Sequence, residues 1–460
     1  MLPESHASPD RKRRPFLLLM LVLVLVALLG VGGYVAFQLW GGDRAPVANE
    51  PAPATDQPST EAYQPWFAGY TDLTATPVFT FETPDSESGR DVVLSFIVAA
   101  TTDACTPTWG TYYTLDEAVE GLDLDRRLAR AEQLGGQVIV SFGGLLNDEL
   151  STGCTDPARL VAAYEEVIDR YGVSTIDLDI EGGNLRDTVA GERRAAAMAT
   201  LQENRTAAGT DLAVWLTLPV SPAGMTEDGA TAVSQMLEAG VDLAGVNLMT
   251  MDYGASRASG DSMAEASIAA LQSSHRQLGT LYRLAGIELT AATLWTKIGA
   301  TPMIGQNDVA GEIFSLADAA QFNAFAQENR IGRMSVWSLN RDQTCGSDYV
   351  DLTRVSNSCS GVDQGDQRFS DVLAQGFDSR PTSAAPIKTT DEADQIGDLT
   401  DDPATSPYPI WTEGSTYLAD TQVVWHRNVY QAKWWTLGDL PDAPVLNEWE
   451  TPWTLIGPVD

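Results

Sequence analysis

Histidine is scarce in this chain: His6, His275 and His426 are the only three among 460 residues. There are four cysteines and no Cys-x-x-Cys spacing, so the usual ligand set for a zinc ion is missing. Basic residues are few as well, 28 Lys and Arg against 63 Asp and Glu. The formal net charge of −35 argues against nucleic acid as a partner, because such a surface repels phosphates. It sets no preference against a neutral ligand. No Gly-x-Gly-x-x-Gly loop follows the first strand-like run, so a dinucleotide-binding sheet has no support. Long apolar runs are absent too, with one exception.

That exception is Phe16 to Trp40, whose only strongly polar member is Gln38, preceded by Arg11-Lys12-Arg13-Arg14. About 20 apolar residues suffice to cross the hydrocarbon core, and a basic cluster stays on the cytoplasmic side. The expected layout is a cytoplasmic tail (1–14), a single-pass signal anchor (15–40) and a stalk (41–64), with all that follows outside the cytoplasm. Secretion after cleavage of the same segment is the alternative. The stalk, from Asp43-Arg44-Ala45-Pro46 to Pro58-Ser59-Thr60, is poor in large apolar groups. Cysteines suit that compartment: the short gap from Cys345 to Cys359 favours that bridge, leaving Cys105 with Cys154.

From 65 to 378, short apolar runs alternate with segments of helical period. The strand candidates are 66–71, 92–100, 137–142, 175–181, 212–219, 243–251, 298–304 and 333–339. The segment 157–171 carries Leu160, Ala163, Tyr164, Val167 and Ile168 on one side. Asp156-Pro157 starts it and Gly172 stops it. Eight strands alternating with helices predict an α/β fold, a (β/α)8 TIM barrel. An open doubly wound sheet is the alternative. A second Pro-rich and acidic stretch, 379–406, reads as a linker to a small, aromatic-rich, all-β unit at 407–460.

The chemistry concentrates in Thr175-Ile176-Asp177-Leu178-Asp179-Ile180-Glu181. On a strand, alternate side chains share a face, so the three acids point one way and the three apolar residues the other. Acids crowded on an inner face resist ionising together, which suits one of them to deliver a proton. Barrel sites lie at the C-terminal ends of the strands. There the third strand brings Ser141, Gly143 and Gly144, the sixth Met249, Asp252 and Tyr253, and the eighth Trp337, a flat platform for a sugar ring.

Ser-x-Gly-Gly, then Asp-x-Asp-x-Glu on the next strand, then Met-x-x-Asp and a terminal Trp strand resemble glycoside hydrolase family 18, the chitinases. The resemblance implies that Glu181 is the catalytic acid, Asp179 its assisting carboxylate and Asp177 the inner Asp. It also implies a retaining mechanism in which the substrate's 2-acetamido oxygen is the nucleophile, with no cofactor or metal. Ser174 stands where the family has a first Asp, and Met251 where it often has Tyr. Tyr253, with Asp252, is then the candidate for steadying the acetamido group.

Eight aromatics follow Tyr408 in the last fifty residues, more than so small a unit can bury. Trp411, Tyr417, Trp425 and the run Tyr430-Gln431-Ala432-Lys433-Trp434-Trp435-Thr436 resemble the chitin-binding modules of carbohydrate-binding families 5 and 12. By that resemblance Trp434 and Trp435 stack on sugar rings. The resulting reading is a monomeric chitinase acting on chitin or chitooligosaccharides and held at the membrane by its anchor. The alternatives are a non-catalytic polysaccharide-binding protein and an endo-N-acetylglucosaminidase acting on other glycans.

Overall fold

The structure, a computed structural model, describes residues 64–347, 354–381, 401–443, 445 and 448–459. No helix among them is long and apolar enough to cross a membrane. The expected anchor and stalk fall outside the described residues.

Eight parallel strands close into a barrel. The first runs as Trp66–Phe67 and, after Ala68, Gly69–Asp72. Val92–Ala99, Val138–Gly143, Thr175–Asp179, Ala213–Ser221, Leu243–Thr250, Ile298–Pro302 and Arg333–Met334 follow. Each pairs with its chain neighbour, and Trp66 opposite Arg333 joins first strand to eighth. The ring removes the open-sheet alternative. Helices separate successive strands except between the first and second, where the described residues form only the 3₁₀ turn Glu87–Gly89.

Local rules set the elements. Pro157–Tyr171 is a helix because Asp156 accepts hydrogen bonds from Ala158 and Arg159 N–H at 3.0 and 3.1 Å. Losing such a cap costs about 1 kcal/mol. Pro157 brings a preset φ, and Gly172 ends the helix at φ 61°. Its five apolar residues named above are all buried against the barrel wall. On the fourth strand Ile176, Leu178 and Ile180 face that same layer, while Asp177 and Asp179 face the lumen. The bottom of the lumen is apolar, with Trp66 edge-on to Trp215 at 5.6 Å.

Both expected disulfides form, Cys105–Cys154 and Cys345–Cys359. The first ties the loop after the second strand to the segment after the third, and both bridges lie on the side where the strands end.

The stretch expected as a linker is folded at both ends. Ser379 N–H donates to the Pro65 carbonyl, and Arg380 reaches the Gly135 carbonyl. Asp401 accepts from His426 and Arg427 N–H, capping a turn of the C-terminal unit. Residues 382–400 lie outside the described set. The C-terminal unit pairs Gln422–Trp425, Asn428–Ala432 and Trp453–Pro458 in an antiparallel sheet. Trp411, Tyr417, Val423, Tyr430, Ala432 and Trp453 form its core.

Candidate active site

Above the apolar floor the lumen carries a polar layer, and Asp177 is its centre. One carboxylate oxygen, Oδ1, accepts from Arg333 Nη1 and Thr217 Oγ1, both at 2.6 Å. Oδ2 accepts from Tyr70 OH at 2.8 Å and Ser141 Oγ at 2.7 Å. Burial and the nearby Asp177 push the Tyr70 phenol well above its ordinary value, which keeps it a donor. Asn247 links this layer to Thr217 and Thr301 at 3.0 and 2.8 Å. A buried charge needs a partner and filled hydrogen-bond sites, and Asp177 has both.

The next acid up is treated differently. Asp179 is 4% exposed, and its Oδ1 has no hydrogen-bond partner. Burial first, then the charges of Glu181 and Asp177, raise its pKa well above the usual carboxylate range. Glu181 stands at the mouth, half-buried, at the N-terminus of the short helix Gly182–Arg186 without capping it. Burial and the Asp252 carboxylate raise its pKa to about 7. Such a group holds its proton in roughly half of the molecules at neutral pH and can both donate and accept. Asp252 is itself raised, first by burial. Its Oδ1 accepts from Val309 N–H at 3.0 Å, and its own N–H donates to Asn307 Oδ1.

A pH dependence follows with a definite sign. With Glu181 as the proton donor, turnover is expected to fall as pH rises through about 7. Asp252→Asn removes a charge that raises Glu181, so its basic limb lies at lower pH than wild type. Activity–pH profiles of the two proteins check this; coincident basic limbs reject the coupling.

Aromatic rings floor the mouth. Trp337 is stacked on Phe96 at 5.6 Å and 24°, with Tyr70 edge-on at 5.9 Å. Trp337, Phe96 and Met249 are each half-buried. Gly143 has φ +104°, and a Cβ there would lie 2.2 Å from the Asp179 carbonyl oxygen. Gly144 N–H donates to that same oxygen at 2.9 Å. The two glycines thus let the third strand end lie against the backbone that carries Asp179.

Two of the expected site residues are placed elsewhere. Tyr253 is 6% exposed and its hydroxyl donates to Ser267, on the helix Met263–Leu284. It is a wall residue, pinned there because Glu312 accepts from both Tyr253 and Gly254 N–H at 2.9 Å. Ser141 is fully buried and serves Asp177, so it offers nothing to a ligand. Asp179 lies close enough to Glu181, and Glu181 to Asp252, to feel its charge, with Asp177 beneath Asp179 in the lumen; Met249 lies near the end of the sixth strand and Trp337 just beyond the eighth. Trp434 and Trp435 project from the C-terminal unit, 44% and 58% exposed. Asn247, the amide that the sixth strand was expected to bring, lies in the polar layer; sequence reasoning missed Tyr70, Phe96, Thr217, Thr301 and Arg333. Only Arg333, a charge opening an apolar run, left a visible signal.

No protein-family model matches the chain. A probable bifunctional chitinase/lysozyme from Escherichia coli (strain K12) is 34% identical over 260 residues, 55% of this chain and 28% of that protein. Endochitinase 11 from Metarhizium anisopliae is 33% identical over 255 residues, 54% of this chain and 47% of that protein. The chain is similar to chitinases. It spans less than half the length of these curated relatives. Among solved structures, the catalytic domain of a hyperthermophilic chitinase from Pyrococcus furiosus superposes with a TM-score of 0.58 at 28% identity, covering 68% of this chain and 94% of that one. A set of catalytic-site mutants of the same domain carries chito-oligosaccharides and matches equally well.

Proposed function

We propose that this protein is a chitinase, a glycoside hydrolase that cleaves β-1,4-linked N-acetylglucosamine polymers with retention of configuration. The observation that carries this reading is the contrast along the fourth strand and the two residues after it: Asp177 is fully partnered, while Asp179 has an orphan buried oxygen and Glu181 is poised near neutrality. Glu181 protonates the leaving oxygen. The orphan acceptor of Asp179 suits the N–H of a 2-acetamido group, orienting its carbonyl oxygen to attack the anomeric carbon. Asp179 then stabilises the oxazolinium ion, and Glu181 takes a proton from the incoming water. An enzymic nucleophile would have to sit across the bond, roughly 5 Å from the acid. Asp177 lies below Asp179 with its acceptor sites filled, and the resemblance to family 18 gives that role to the substrate.

The C-terminal unit is proposed as a chitin-binding module, with Trp434 and Trp435 as its contact surface. The N-terminal apolar segment is proposed as an anchor holding a monomeric enzyme outside the cytoplasm, a setting that two disulfides suit.

Incubation with soluble chitooligosaccharides and with crystalline chitin, followed by product analysis, tests both parts. Released sugars of retained configuration support the enzyme. Binding without cleavage points to a lectin, and cleavage of other N-acetylglucosamine glycans alone points to a different hydrolase. Trp434→Ala with Trp435→Ala is expected to weaken retention on insoluble chitin about a hundredfold, since covering two indoles contributes on the order of 3 kcal/mol. Cleavage of short soluble oligomers should hardly change. High salt should leave binding intact, because the ligand is neutral. Undiminished retention on the solid assigns the pair a structural role.

A further inference from the structure

One charge in the polar layer, just above the apolar floor, takes no step in the chemistry described above. Arg333 is completely buried, and its guanidinium lies 5.2–5.5 Å from the rings of Trp66, Tyr70 and Trp215. Its Nη1 donates to Asp177 at 2.6 Å and its Nη2 to Tyr70 OH at 3.1 Å. A carboxylate has about four lone-pair sites for donors. Around Asp177 all four are taken, by Arg333, Thr217, Tyr70 and Ser141. Asp179, two residues along the same strand face, therefore has no acceptor below it on which to rest a carboxyl hydrogen. Its orphan oxygen and its coupling to Glu181 leave the upward direction open.

We propose that Arg333 is a positioning residue of the acid pair: by neutralising and saturating Asp177, it confines the site's exchangeable proton to Asp179 and Glu181. This rests on the reading of those two acids as the catalytic pair. Without Arg333 a third carboxylate would compete for the proton, and Glu181 would be re-armed less often between turnovers. The other ionisable groups facing the layer are Tyr70 from the first strand and Asp252 beyond the sixth. The remaining strands bring neutral side chains to Asp177. Arg333 already acts to lower Asp179 against burial and its acidic neighbours, so the charge is felt where the proposal needs it.

Charge compensation makes the test. In the full chain, Arg333→Gln leaves the acids with one uncompensated negative charge. Both limbs of its kcat/KM profile on a soluble chitooligosaccharide should then move up by about one pH unit. Asp177→Asn leaves the guanidinium uncompensated, and both limbs should move down. The double variant should return them close to the wild-type positions. A role in packing alone would lower the whole curve in each variant and leave the limbs in place, which overturns the proposal. If Arg333→Gln does not fold alone, the double variant, which buries no lone charge, decides by comparison with Asp177→Asn: limbs back near the wild-type positions support, limbs as low as in Asp177→Asn reject.

A second readout needs no substrate. A carboxyl group whose pKa is higher in the folded than the unfolded state contributes stability at low pH that is lost as pH rises. Removing Arg333 raises the acids further, so Tm should fall more steeply between about pH 5 and 8 in Arg333→Gln than in wild type. Parallel Tm curves overturn the proposal. Should the wild-type chain cleave no chitooligosaccharide, the functional reading fails and the Tm comparison still judges the role of Arg333.

Discussion

Glu181→Gln is expected to lower turnover on chitooligosaccharides by roughly 10²–10⁴-fold, the usual yield of a positioned general acid, with folding and sugar binding retained. The amide matches the acid in size, so the mouth keeps its shape. Glu181 makes no hydrogen bond that the exchange would break among the described residues, since the helix after it is not capped by its side chain. What disappears is a group whose pKa, raised to about 7, lets it give a proton in one step and take one in the next. Removing it also relieves Asp179 of a neighbouring charge, so Asp179 should titrate lower in the variant. Steady-state rates with a binding measurement on the same oligomer check the result. A variant retaining a tenth of the activity would show that the proton comes from elsewhere.

An equally large effect is expected from the substrate side. Replacing the 2-acetamido group with hydroxyl, as in cellulose oligomers of the same length, should remove the nucleophile itself. A well-placed neighbouring group reaches effective molarities of 10⁵–10⁸ M, so cleavage should fall by roughly 10⁵-fold or more. The aromatic floor of Phe96 and Trp337 does not distinguish the two sugars, and binding should survive in part. A thiazoline mimic of the oxazolinium ion should inhibit competitively. Efficient hydrolysis of the cellulose oligomer would transfer the nucleophile to the protein, with Asp252 the first residue to examine.

The barrel was legible because its wall obeys period rules. Each strand begins within one residue of the apolar runs, and Pro157–Tyr171 has the bounds its cap and stop residues announce. The acids on the fourth strand were readable for the same reason, as period 2 puts them on one face. Their partners were not. Tyr70 and Thr217 lie on strands whose other face is also buried, so polarity there carries no alternation to read. Phe96 follows Ser95 in an otherwise apolar run, and nothing in it tells a lumen ring from a wall ring. Tyr253 misled because motif spacing fixes a position along the chain but not a direction. The loop turns at Asp252, with φ 52°, and Glu312 holds the next two N–H groups, so the phenol is sent outward. The acidic stretch after the barrel misled at its ends, where the Asp401 carboxylate accepts from two backbone N–H groups and Ser379 N–H donates to the Pro65 carbonyl, ties that composition does not reveal.

The placing of the two disulfides bears on how the protein is best produced. Both cross-link segments beyond the strand ends, and the closed ring of strands contains neither. A host with a reducing interior should therefore still yield soluble barrel. The segments bordering the cleft, however, would be left without their clips. Yield and solubility are then poor guides to the quality of a preparation; specific activity, before and after reoxidation, is the quantity to follow.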